Sequence, residues 1–147
     1  MMTRISSILF AIIFIFSIAI AAPIHDPRQI GDLACNVARL KIVTALATSK
    51  GAINKIPSSD ATTSTQVSAA QAGLSSASQG IETIAGAILT GQQAPAPARD
   101  QVLQGLATAQ SALGNVTDPA ASASVASAQK DLANTVQAGQ EVIANCK

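Results

Sequence analysis

The chain has 147 residues, 48% of them hydrophobic, and a formal charge of +1. All three phenylalanines (Phe10, Phe14, Phe16) and both methionines lie within the first sixteen positions, and Trp and Tyr are absent. A chain without aromatic rings beyond Phe16 argues against nucleic-acid modules that stack bases, aromatic ligand cages and cofactor pockets built on ring stacking.

Arg4 precedes an apolar run from Ile5 to Ala22, broken only by Ser6, Ser7 and Ser17, that ends in Ala19-Ile20-Ala21-Ala22-Pro23. Small residues at Ala19 and Ala21 fit the cleavage pattern of a secretory signal peptide. The expectation is a signal peptide over 1–21 and a single domain over 22–147, secreted to the extracellular space or cell wall, with no transmembrane anchor after cleavage. Without Arg4, eight basic residues face eight acidic ones. A neutral chain lacks the electrostatic basis for binding nucleic acid or anionic membranes. Over residues 22–147 its aliphatic side chains are 27 Ala, 8 Val, 9 Ile and 9 Leu.

Asp26-Pro27 is a helix-start signal. Beyond it Ile30, Leu33, Val37 and Leu40 recur at helical spacing, and a second stripe of Ile42, Leu46, Ile53 and Ile56 continues to Pro57. The spacing predicts one long helix, apolar over a wide face. A second helix is expected from Ser59 or Asp60. There Val67, Ala70, Leu74, Ala77, Ile81, Ile84 and Ile88 alternate steps of 3 and 4, a heptad seam. Gly91 is placed to end it. Within that helix Gly73, Gly80 and Gly86 read as close-packing or groove-opening positions, not as a phosphate loop.

Ala94-Pro95-Ala96-Pro97 reads as a stiff connector. Asp100 is then expected in the first turn of a third helix carrying Val102, Leu106, Ala109 and Leu113, closed by Gly114 and Asn115. Thr117-Asp118-Pro119 signals a fourth helix with Val125, Leu132, Val136, Gly139, Ile143 and Cys146. The pairs Ala70/Leu74, Ala109/Leu113 and Ala128/Leu132 each set Ala and Leu one turn apart on one face. Strand and hairpin signals are missing. The fold expected is all-α: an antiparallel bundle of four, at most five, helices.

In an exported chain the two cysteines, Cys35 and Cys146, read as one disulfide. It would close a loop of roughly 110 residues, which the chain-entropy model values at about 4–5 kcal/mol. Asn115-Val116-Thr117 is an N-glycosylation sequon between two helices. The Ser/Thr run from Ser58 to Thr65 reads first as a capped helix start and second as a site for O-linked sugar.

For chemistry, the one histidine, His25, would have to anchor any Ser-His-Asp or Cys-His arrangement alone. Asp26, Asp60, Asp100 and Asp118 fall at expected helix starts, and Asp32, Glu82, Asp131 and Glu141 are dispersed. No catalytic, cofactor-binding or metal site is expected, and the chain is read as non-enzymatic. Small residues beside Ile81, Ile84, Ile88, Leu106 and Leu132 make these five the candidates for an apolar groove between helices.

In its export signal, its Ala/Ser/Thr/Gln-rich helical pattern over Ile30 to Lys147 and its lack of a catalytic set, the chain resembles small secreted proteins of filamentous fungi, specifically the hydrophobic-surface-binding protein A and cell-wall galactomannoprotein type. The resemblance implies a helical bundle that adsorbs to hydrophobic surfaces or holds a fatty-acid-like lipid, in some members as a wall-associated glycoprotein. The Cys35 and Cys146 pair departs from that group. The competing expectation is a secreted effector or inhibitor whose polar Ser/Gln faces bind a wall or host protein.

Overall fold

The computed structural model describes residues 32–146, which form four α-helices and, among the described residues, no strand. They are α1 (Leu33–Ile53), α2 (Ala61–Leu89), α3 (Ala96–Gly114) and α4 (Ser122–Asn145), packed as an antiparallel bundle. The proposed signal peptide, His25 and the Asp26-Pro27 start signal lie outside the described residues.

Local chemistry sets the helix ends. Asp32 caps α1, its carboxylate accepting the Ala34 N–H at 2.8 Å and the Cys35 N–H at 3.4 Å. Asp60 caps α2 by accepting the Thr63 N–H at 2.8 Å, and this backbone hydrogen bond holds its carboxyl below the usual aspartate range. Gly91, at φ 72°, ends α2 in a Schellman turn in which the N–H groups of Gly91 and Gln92 donate to the carbonyls of Ile88 and Ala87.

Two helix starts differ from the sequence reading. α3 begins inside the Ala-Pro repeat, with Pro95 as cap and Pro97 in the first turn, where a missing N–H leaves no helical bond unmade. Asp100 therefore falls beyond the first turn. α4 begins at Ser122, because the Asp118 carboxylate accepts the Ala120 N–H at 2.9 Å and holds a turn ahead of the helix. Asp32, read as one of the dispersed carboxylates, is a cap.

The helices pair unequally. α2 lies closest to α3, α1 lies closest to α4, and the two pairs approach each other less closely. In the first pair the cause is glycine. A Cβ on Gly73 would stand 2.6 Å from the Gly105 carbonyl oxygen and 2.8 Å from the Ala109 nitrogen. A Cβ on Gly105 would stand 2.5 Å from the Gly73 carbonyl oxygen. Backbone meets backbone, so each glycine Cα–H faces the other's carbonyl, an arrangement that adds weak Cα–H···O attraction. One step along, a Cβ on Gly80 would meet the Ala98 carbonyl oxygen at 2.8 Å.

At that separation alanine suffices to fill the interface. Ala70, Ala77 and Ala109 are fully buried, with Leu74 and Leu113 beside them. All three Ala/Leu pairs noted in the sequence lie in the core. In the α1/α4 pair the Ser49 and Thr135 hydroxyls, both buried, are 2.9 Å apart. Thr135 Oγ1 also donates to the Asp131 carbonyl at 3.1 Å. A hydroxyl has one proton, so Ser49 is the donor to Thr135 and the chain of bonds runs Ser49 to Thr135 to Asp131. An exposed ion pair, Lys41 to Glu141 at 2.8 Å, joins the same two helices.

Gly73→Ala is expected to destabilise the bundle by about 1–3 kcal/mol, since the helices must separate to admit the methyl group. Gly86→Ala, where a Cβ meets nothing within 4 Å, is expected to stabilise it by up to about 1 kcal/mol. Urea denaturation of the two variants checks both signs. The cap on α2 gives a pH signature. With its folded pKa lowered, Asp60 contributes stability above the ordinary aspartate value of about 3.9, lost as pH falls through the lower folded value. Asp60→Asn is expected to lose less stability than the parent on acidification in that window, read by melting temperature.

Candidate functional site

One end of the bundle combines covalent closure with exposed apolar surface. The Asp32 cap starts α1 so that Cys35 falls in its first turn, fully buried. Cys146 is the C-cap of α4, its N–H donating to the Val142 carbonyl at 2.9 Å. The two are disulfide-bonded with Cα atoms 4.9 Å apart. The connector from α2 to α3, residues 90–95, lies at this same end, because the helices alternate in direction.

The side chains of α1 divide into two apolar faces. At about 100° per residue, Cys35, Ala38, Ile42, Leu46, Ser49 and Ile53 share one sector, and all are buried. Leu33, Val37 and Leu40 share the opposite sector. They are 77%, 44% and 68% exposed, and Val43 beside them is 49% exposed. The wide apolar face expected of this helix is thus divided: the stripe of Leu33, Val37 and Leu40 turns outward. A helix at the corner of a four-helix bundle has one inward side, and the stripe continuing to Ile53 and Ile56 occupies it. Leu89 and Ile143, near the ends of α2 and α4, are also exposed, as is Leu103 in the first half of α3.

The five groove candidates divide. Leu106 and Leu132 are buried in the shared core, and Ile81 and Ile84 are half-buried and packed against it. Ile88 is half-buried as well. The buried residues of α2 stop at Gly80. The three isoleucines thus mark where the core thins toward the disulfide end. Asn115 is the exposed C-cap of α3, in the connector at the far end of the bundle, which also holds the Ser58 to Thr65 run.

An open cleft of about 350 Å³ lies elsewhere, between α1 and α4. Thr48, Lys55, Ser124, Ser127 and Asp131 line it over Gly51 and Ala52. Among the described residues no group of three or more His, Cys, Asp or Glu is placed to hold a metal ion, and no helix is long and apolar enough to cross a membrane.

Compared with protein-family models, with curated proteins and with solved structures, the chain matches none.

The disulfide spans 111 positions. Replacing both cysteines with alanine is expected to cost about 4–5 kcal/mol by the chain-entropy model, measured as a fall in the urea midpoint with a steeper slope, because the unbridged denatured chain is more expanded. A midpoint within error of the parent would show that the bridge adds nothing to the packing of α1 on α4.

Proposed function

We propose that this is a secreted, non-enzymatic protein that binds hydrophobic surfaces through the disulfide end of its bundle. The observation that carries the reading is the stripe of Leu33, Val37, Leu40 and Val43 on the side of α1 turned away from its core. Scattered exposed aliphatics are ordinary on a protein surface, but a contiguous apolar helical face marks an interaction site.

Magnitudes narrow the occupant. At about 2 kcal/mol per fully buried aliphatic, covering the exposed fractions of these four side chains is worth on the order of 5 kcal/mol. A single acyl anchor binds a bilayer with similar strength, reversibly. The patch spans about 15 Å of helix, whereas a stable protein interface uses roughly 20–30 residues a side. The stripe therefore suits an extended surface on which many copies sit side by side better than it suits a homodimer. Formal neutrality makes such adsorption independent of lipid charge. The resemblance to hydrophobic-surface-binding and wall-associated fungal proteins supports the same reading.

The second reading, an effector or inhibitor acting on a wall or host protein, draws on the α1/α4 cleft, where Lys55, Asp131 and three hydroxyl side chains offer both charges and donors to a polar partner.

Adsorption to octyl-coated beads and to phosphatidylcholine vesicles separates the two. The double variant Leu33→Ser/Leu40→Ser is expected to bind about a hundredfold more weakly, the equivalent of about 3 kcal/mol. Each exposed substitution should shift stability by no more than about 0.5 kcal/mol. Undiminished adsorption of the double variant, or no adsorption by the parent, overturns the proposal.

A further inference from the structure

The bundle is built as two arms. α1 and α4 form one, closed at its lower end by Cys35–Cys146 and tied along its length by Lys41–Glu141 and the buried Ser49–Thr135 pair. α2 and α3 form the other, closed at that same end by the 90–95 connector and locked by the Gly73–Gly105 contact. The two connectors that pass from arm to arm, residues 54–60 and 115–121, both lie at the far end.

The noncovalent contacts follow the same asymmetry. Three side-chain hydrogen bonds cross the seam among the described residues: Lys50 Nζ to Ser78 Oγ, Gln71 Nε2 to Asn54 Oδ1 at 2.9 Å, and Gln129 Nε2 to the Leu113 carbonyl at 3.3 Å. Asn54 is the cap of α1 and Leu113 is in the last turn of α3, so two of these bonds lie by the far connectors, while Lys50, in the last turn of α1, reaches to Ser78 past the middle of α2. Of the large side chains, Ile53, Leu74, Leu113 and Leu132 are essentially fully buried, while Ile81, Ile84 and Ile88, on the part of α2 nearest the disulfide end, are half-buried.

We infer that on meeting a hydrophobic surface the bundle opens along the seam between its two arms, from the disulfide end, pivoting on the 54–60 and 115–121 connectors. The inference rests on the adsorption proposed above and adds how the adsorbed protein rearranges. Opening exchanges contacts between the arms, those of Ile81 and Ile84 with the core among them, for contacts with the surface. It leaves each arm's internal packing in place. The disulfide lies within an arm and not across the seam, so the oxidised protein opens without reduction.

Paired spin labels test this in the full chain with its disulfide intact. Glu82→Cys with Gln140→Cys reports across the seam toward the disulfide end, Glu82→Cys with Asp100→Cys reports within one arm, and Ser68→Cys with Ala126→Cys reports across the seam near the pivot. All five positions are exposed. On phosphatidylcholine vesicles the first distance is expected to grow by about a helix diameter, ~10 Å, with the other two unchanged. Protein that sediments with the vesicles while all three distances stay fixed overturns the opening and leaves the adsorption standing. Protein that stays in the supernatant overturns both. As a second measurement, a thiol crosslink matched in length to the resting separation of the first pair is expected to weaken vesicle binding, and one matched to the third pair is not. Equal binding by the two crosslinked proteins also overturns the opening.

Discussion

The backbone contact between Gly73 and Gly105 is the constraint from which the architecture follows. A core without aromatic side chains has little volume to place between helices, and a bundle at ordinary separation would leave voids that cost stability. Removing the Cβ at the crossing point lets α2 and α3 approach until alanines touch. The interface then loses area per residue but gains many short contacts, each weak alone and considerable together. α1 and α4 pack through small residues and a hydroxyl pair, in which Ser49 donates to Thr135 and Thr135 to the Asp131 carbonyl.

Tight pairing within the arms leaves the larger side chains to fill the space between them. That is why the isoleucines and leucines meet across the seam, and why that seam is the apolar, looser junction of the molecule. Its character changes along the axis: dense where the connectors cross, thin where α2 runs past Gly80. The exposed stripe on α1 sits toward the thin end. An outward apolar face and a less filled inward one thus share the same part of the molecule.

Much of this was legible in the sequence. The alternating steps of 3 and 4 from Val67 to Ala77, the Ala/Leu pairs, the Asp60 cap and the Gly91 stop each encode a local preference that the fold keeps, and two cysteines admit one intramolecular pairing. What stayed hidden depends on relations between elements. Two apolar stripes on α1 are equivalent until a neighbour chooses one, so periodicity alone did not reveal that Leu33, Val37 and Leu40 face outward. Gly73 and Gly80 read as close-packing or groove-opening positions, but their partners, Gly105 for the first and Ala98 with Val102 for the second, are visible only once α3 lies alongside. The late start of α4 reflects the turn at Asp118, a competition between a side chain and the helix for the same backbone N–H groups. The groove candidates failed to converge for a related reason: one helical stripe runs from a dense layer into a thin one, and spacing carries no information about depth.

The disulfide also changes the molecule's connectivity as an object. Joining the start of α1 to the end of α4 turns the four helices and three connectors into a closed ring folded back on itself, with the sulfur bridge as its fourth corner. In such a ring no single connector is indispensable to covalent integrity. A protease cutting the exposed Gln92–Gln93 bond between α2 and α3 would leave one linear molecule whose helices remain in their original neighbourhoods, with new ends where the connector had been. A chain so bridged keeps its parts together through a cut that would split an unbridged bundle in two.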